Sequence, residues 1–102
     1  MSRINILNQF GLKPKYSSEE EKLAAVKQNR YYIQYIHNPS EAVQLEAVKE
    51  DGNSIEYIQN PSEVVQLEAI KTLTYDYVDL ITSEKALFEF CKRIVVEQVL
   101  NV

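Results

Sequence analysis

The chain has 102 residues, of which 45% are hydrophobic and 25% charged, a composition typical of one compact domain (residues 1–102) and not of a disordered chain. Its net charge of −4 disfavours direct binding to nucleic acid, because that affinity comes from clustered Lys and Arg side chains. One Cys and one His are too few for a zinc site or an internal disulfide, and we expect no cofactor, no metal and no enzymatic activity.

The longest apolar run, residues 23–26, is far shorter than the roughly 20 residues of a membrane-spanning helix. The first residues also lack the basic-then-apolar pattern of a secretion signal. We therefore expect no membrane partner and a cytoplasmic location.

Residues 1–17 contain Ile4, Leu7 and Phe10 at helical spacing, which predicts a short helix ending at Gly11. This segment matches the rest of the chain poorly. We interpret it as an N-terminal cap on the elements that follow, since a stacked array of repeats needs a cap at each end.

A 22-residue unit then begins at residue 18. Residues 18–39 return as residues 40–61 with 11 of the 22 positions identical, and residues 62–83 keep the first half and then drift. Within this region, Asn-Pro stops an element and the serine that follows is a preferred helix N-cap. The pattern predicts an all-α fold, a short α-solenoid-like array of about three helix-turn-helix units between N- and C-terminal capping helices.

The first helix of the second unit is predicted over about residues 41–50, with Gly52 as a left-handed C-terminal cap. The equivalent residues Arg30 and Thr74 do not adopt that conformation cheaply. We therefore expect a different turn, or a longer helix, at those two positions.

The second helix of this unit is predicted over about residues 53–59, with Ile55 and Ile58 on one side. In the third unit, Tyr77 and Leu80 are assigned to the same two positions. The wheel of the first helix places Gln44, and its equivalent Gln66, inside the apolar arc. Since an unpaired buried amide costs about 1–3 kcal/mol, we expect these amides to bond backbone groups in the turn of a neighbouring unit.

Residues 84–102 have apolar side chains at spacings of three and four, which predicts one long amphipathic helix. Cys91 lies on its apolar side and is predicted to be buried. This helix carries more apolar residues than a short array needs to cover it, so a homodimer is one expectation. The candidate self-association residues are Leu87, Phe90, Ile94, Val95 and Val96.

Tyrosine is abundant, with 7 in the chain, and residues 18–81 contain 12 acidic and 5 basic side chains. Tyr35 and Tyr57 occupy equivalent positions, so stacked units would align them on one surface. Two interpretations stay open: rings packed between helices beside a solvated acidic surface, or a protein-binding stripe that meets a basic partner. The candidate partner-binding residues are Tyr35, Tyr57, Glu46, Glu50, Glu56 and Glu68.

The segments LAAVKQN, NPSEAVQLEAVKEDG and NPSEVVQLEAIK resemble the tandem VKQNG…NPSEEVQLxAV repeats of a domain family of unknown function, which occurs in bacteria, their phages and mobile elements, and some protists. The resemblance covers about residues 18–71 and implies an all-helical repeat fold but no site residues. It also suggests a phage or mobile-element origin. By analogy with small proteins of that kind, we expect a non-enzymatic protein that binds and inhibits a host protein, for example a nucleic-acid-handling defence enzyme.

Overall fold

The computed structural model describes residues 18–100, so the predicted N-terminal cap over residues 1–17 lies outside the described residues. Within them, four α-helices alternate with three short 3-10 helices and there is no strand, which confirms the predicted all-α fold. The α-helices are α1 (Glu19–Gln28), α2 (Glu41–Glu50), α3 (Glu63–Ala69) and α4 (Glu84–Leu100). The 3-10 helices are η1 (Arg30–Tyr35), η2 (Gly52–Tyr57) and η3 (Tyr75–Leu80).

Each α-helix begins after a serine whose hydroxyl oxygen accepts a hydrogen bond from the backbone N–H three residues later. The four serines are Ser18, Ser40, Ser62 and Ser83, with N···O distances of 3.1 to 3.3 Å. Such N-caps each contribute about 1 kcal/mol to helix stability. The fourth serine follows the third by 21 residues, so α4 begins where the start of a further unit is expected.

The same serines also connect neighbouring helices. The Ser62 hydroxyl donates to the Glu41 carboxylate at 2.8 Å, and the Ser83 hydroxyl donates to Glu63 at 2.9 Å. Ser40 makes the equivalent bond to Glu19. One serine therefore caps its own helix and ties it to the first residue of the helix before it.

The backbone leaves the first two α-helices in nearly the same way. Asn29 and Asp51 are extended, with φ/ψ of −153°/107° and −158°/113°, and each side chain accepts a hydrogen bond from the N–H two residues later. The predicted left-handed cap at Gly52 is therefore wrong, because α2 ends in extended backbone at Asp51 and Gly52 starts η2. The different turn expected at Arg30 is also wrong, since Arg30 starts η1 in the same manner.

Gly52 is needed for close packing instead. A Cβ atom at this position would lie 2.0 Å from the carbonyl oxygen of Ala69 and 2.7 Å from the backbone nitrogen of Leu73. The Gly52 N–H also donates to Thr72 Oγ1 at 2.8 Å. The absence of a side chain lets the start of η2 touch the end of α3.

The third unit differs from the first two in its turn, as expected at Thr74. Helix α3 ends at Ala69, and Ile70 continues in a helical conformation with φ/ψ of −67°/−11°. Helix η3 then starts 23 residues after η2, and Thr74 precedes it without a side-chain cap.

This extra residue shifts the register of the third unit. Ile58 donates its backbone N–H to Ile55 O at the end of η2, and Ile81 makes the same bond to Val78 O at the end of η3. The assignment of Leu80 and Tyr77 to those positions is therefore wrong. Ile81 is 5% exposed and belongs to the core, whereas Leu80 is 39% exposed.

The core follows the line of the α-helices, each of which contacts the next, while η1 contacts η2 and η2 contacts η3. Val43, Ala47, Val65 and Ala69 have no exposed surface, and Phe90 of α4 is 2% exposed. Helices of seven to ten residues are marginal alone, so this shared burial holds them, at about 1.5–3 kcal/mol for each large apolar side chain. In residues 18–100, no helix is both long and apolar enough to span a membrane.

Gln66 is a buried polar residue, and its amide is fully used. Its Oε1 accepts from the N–H groups of Thr82 and Ser83, both at 2.8 Å, and its Nε2 donates to Pro61 O at 2.9 Å. The prediction of bonds to a neighbouring turn is confirmed here. Gln44 bonds only the turn before its own helix, since its Nε2 donates to the carbonyl of residue 39 at 2.9 Å.

Candidate protein-binding surface

Tyr35 and Tyr57 are the last residues of η1 and η2, and both line one concavity of about 390 Å³. Tyr35 is 40% exposed and Tyr57 is half-buried. The structure therefore brings these two predicted residues to one place. The other lining residues are Ile33, Gln34, Ile36, His37, Asn38, Pro39, Gln44 and Gln59.

The wall of this concavity contains an asparagine in an unusual conformation. Asn38 has φ 50°, and so does the equivalent Asn60. Asparagine tolerates the left-handed region better than most residues, because its short polar side chain bonds nearby backbone. The repeated Asn-Pro pair therefore redirects the chain between units as well as ending the preceding element.

A second group of rings extends from η1 across η2 to η3. The rings of Tyr31 and Tyr57 meet edge to face, with centroids 6.2 Å apart and planes at 88°, the arrangement that the quadrupoles of aromatic rings favour. Tyr31 is 42% exposed, and Tyr77 on η3 is half-buried. We call Tyr31, Tyr35, Tyr57, Tyr77 and Glu56 the tyrosine surface.

Glu56 is exposed and interacts with two of these phenols. Hydrogen bonding to its carboxylate raises the pKa of Tyr57, and desolvation by the surrounding protein adds to the increase. The negative charge of Glu56 is also the main reason that the pKa of Tyr77 is raised. Both shifts arise because a negative charge opposes the ionisation of a nearby phenol. One carboxylate therefore lies close to hydroxyl groups from two successive 3-10 helices.

Arg30 shows how this surface binds a cation within the chain. Its guanidinium carbon lies 4.8 Å from the centre of the Tyr31 ring, and its Nε donates to Asp51 Oδ2 at 3.1 Å. Sequence reasoning did not find this pair. The available signal was the separation of 21 residues, which also joins Ser62 to Glu41.

The predicted acidic residues do not form one surface with the tyrosines. Glu46 and Glu68 line a different concavity, of about 440 Å³, with Leu23, Ala42, Leu45 and Lys49. Glu46 lies 3.6 Å from the Lys27 ammonium, and Glu68 lies 2.8 Å from that of Lys71. Glu50 is exposed at the end of α2. Of the four predicted glutamates, Glu56 is the one placed against the tyrosines.

Most of the predicted self-association residues pack inward. Phe90 is 2% exposed, and Leu87 and Ile94 pack against the core. Val95 is 58% exposed. Cys91 is also exposed, so the prediction that it is buried is wrong. The reason is that α3 covers only one side of α4, and Cys91 is rotated about 100° from Phe90 around the helix.

The outer side of α4 keeps an uncovered apolar strip. This strip consists of Phe88, Val95, Val96, Val99 and Leu100, which are 54% to 78% exposed. Val96 also borders a concavity of about 590 Å³ between α3 and α4, together with Leu67, Ile70 and several charged residues. These residues differ from most of those expected to join two copies.

Comparison of the chain with family models, curated proteins and solved structures finds no match. The resemblance to the tandem-repeat family stays a prediction. Among the described residues, no group of three or more His, Cys, Asp and Glu side chains is placed to hold a metal ion. The function is therefore inferred from the geometry of the tyrosine surface.

Proposed function

We propose that this chain is a non-enzymatic protein-binding module that engages its partner through the tyrosine surface. The observation that carries the proposal is the row of rings across η1, η2 and η3, in which Tyr31 and Tyr57 meet edge to face at 6.2 Å. Tyrosine suits binding surfaces because it offers a large contact area and a polar hydroxyl while having few rotatable bonds.

The backbone beneath this surface supports binding by a rigid structure. Asn29 and Asp51 cap η1 and η2 through their side chains, and Asn53 accepts a hydrogen bond from the N–H of Thr74 just before η3, at 2.9 Å. The rings therefore rest on segments that are tied to one another. A surface ordered before binding loses less conformational entropy when the partner docks.

The charge of the chain indicates the kind of partner. Residues 18–81 contain 12 acidic and 5 basic side chains, and such a field attracts a basic surface and speeds its association. The proposal therefore extends to a host protein with a basic groove, such as a nucleic-acid-handling defence enzyme, which the chain inhibits by occupying that groove.

The test uses exposed residues, so that a variant loses binding without losing its fold. A tagged chain captures its partner from a lysate of the natural host, and the captured protein is then purified and titrated by calorimetry. We expect Tyr35→Ser and Glu56→Arg to weaken binding by at least about tenfold, which is 1.4 kcal/mol. Phe88→Ser, on the outer side of α4, serves as the control and keeps wild-type affinity.

Equal affinity of the wild type and both surface variants would show that the partner binds elsewhere. Circular dichroism and thermal unfolding of each variant verify that the helices remain. Measurement at low and high salt separates the charge contribution, since screening beyond about 10 Å is strong at 0.1 M ionic strength.

A second candidate function is self-association through α4, favoured by the exposed apolar strip that starts at Phe88 and ends at Leu100. Two copies that pair about a two-fold axis would bury this strip on both chains. Light scattering across a concentration series tests it. The double variant Val95→Ser and Val99→Ser shifts the mass towards the monomer if the strip is the interface, and a wild-type monomer at every concentration refutes it.

A further inference from the structure

Glu56, Tyr57 and Tyr77 form the part of the tyrosine surface that combines a negative charge with aromatic rings. Glu56 is exposed, and its carboxylate lies close to both phenols. Asp76, also exposed, adds a second negative charge near Tyr77. A cation that enters this place meets the electron-rich faces of rings and at least one carboxylate.

The first unit already contains such a cation. Arg30 lies 4.8 Å from the centre of the Tyr31 ring and bonds Asp51 at 3.1 Å, so one guanidinium contacts a ring face and a carboxylate together. A planar guanidinium suits this arrangement because it stacks on an aromatic ring and directs its N–H groups at an acid.

The second and third units keep the rings and the acids without the arginine. Arg30 is the first residue of η1, whereas η2 begins with Gly52 and η3 with Tyr75. The segments GNSIEY and YDYVDL contain no Lys or Arg. The same chemistry is therefore present at η2 and η3, but these segments supply no cation of their own.

We infer that Glu56, Tyr57 and Tyr77 form a binding site for the guanidinium group of an arginine side chain on the partner protein. The inference rests on the proposed function and adds the chemistry of the contact: an exposed arginine in a basic segment that docks across η2 and η3. Tyr31 contributes its edge to one wall through its perpendicular contact with Tyr57.

The probe for this site is a fluorescein-labelled peptide of alternating Gly and Arg, compared with a peptide of the same length of alternating Gly and Lys. Fluorescence anisotropy at low salt measures both. We expect the arginine peptide to bind about two- to fivefold more tightly than the lysine peptide, because a guanidinium gains more from ring stacking than an ammonium.

The variant that tests the acid is Glu56→Gln, whose side chain is exposed and whose fold is therefore retained. We expect it to weaken binding of the arginine peptide by about two- to fivefold, the range for one exposed charge pair. Glu20→Gln removes the same charge from an exposed position on α1 and is expected to leave binding within experimental error.

Ring resonances locate the contact directly. Titration with arginine amide, followed by proton NMR, is expected to shift the ring signals of Tyr57 and Tyr77 more than those of Tyr75, which packs at 6.4 Å from Phe90. Equal binding of the two peptides, or equal weakening by Glu56→Gln and Glu20→Gln, overturns the inference. The proposed function then still stands if Tyr35→Ser releases the purified partner, and falls if that variant binds normally.

Discussion

Replacement of Gly52 by alanine tests the close packing between η2 and α3. At an unstrained site, Gly→Ala stabilises a protein by about 0.4–1 kcal/mol, because it restricts the unfolded chain. At Gly52 the new Cβ would lie 2.0 Å from Ala69 O, so the start of η2 has to move by roughly an ångström. The sign of the effect therefore distinguishes a glycine required by packing from one retained without need.

Two costs add at this position. Forced displacement in a packed region costs about 1–3 kcal/mol, and loss of the 2.8 Å bond from the Gly52 N–H to Thr72 Oγ1 costs about 0.5–1.5 kcal/mol. We expect a decrease of about 2–4 kcal/mol in the free energy of unfolding. For a domain of this size, that decrease lowers Tm by about 10–25 °C.

Urea unfolding followed by circular dichroism measures this free energy. Arg30→Ala is the matched control, because it also places alanine at the first residue of a 3-10 helix, where a side chain already fits. Its expected loss is at most about 1 kcal/mol, from the partly exposed ion pair with Asp51. A Gly52→Ala variant as stable as the wild type, or more stable, would refute the close approach of η2 to α3.

Three further changes have defined outcomes. Ser54→Ala is expected to raise the free energy of unfolding by up to about 1 kcal/mol in urea titration, because the buried Ser54 hydroxyl has no hydrogen-bond partner among the described residues; a loss of stability would contradict this. Gln66→Leu is expected to lower it by about 2–4 kcal/mol, because two buried N–H groups that bond Gln66 at 2.8 Å lose their acceptor, and Gln44→Leu by clearly less; equal losses would show that these bonds contribute little. Glu56→Gln is expected to lower the pKa of Tyr57 in an ultraviolet titration, and an unchanged pKa would place the carboxylate elsewhere. Since the raised pKa of this phenol favours folding below pH about 10 and loses that effect as pH rises further, wild-type stability falls more steeply than that of the variant above this pH.

The helix starts were predictable because the signals are local. Ser40 follows Asn-Pro and caps α2, and the predicted bounds of that helix, 41–50, agree with the structure. The bonds of Gln66 to the turn at Thr82 also followed from one physical argument, the cost of an unpaired buried amide. Local capping chemistry and burial costs act in the same way wherever the units lie relative to one another.

The errors have a common cause, since each depends on what a neighbouring element covers. Cys91 is on the apolar side of the α4 pattern, yet α3 covers the part of α4 around Phe90 and leaves Cys91 exposed. Leu80 fits the repeat by position, but the longer turn after α3 places Ile81 in the core instead. Spacing along one helix indicates an apolar side but not which part of it a neighbour will bury.

The amino-acid sequence by itself determined the all-α fold, the length of the unit and the serine that begins each α-helix, because these depend on residues within one turn of each other. Tertiary structure decided why Gly52 has no side chain, and which of the acids and rings lie together. Tyr31, Tyr57 and Tyr77 come from three different 3-10 helices, and they surround Glu56 only because η1, η2 and η3 pack side by side. Contacts between successive elements, which the order of residues within one unit does not specify, therefore create the candidate binding surface.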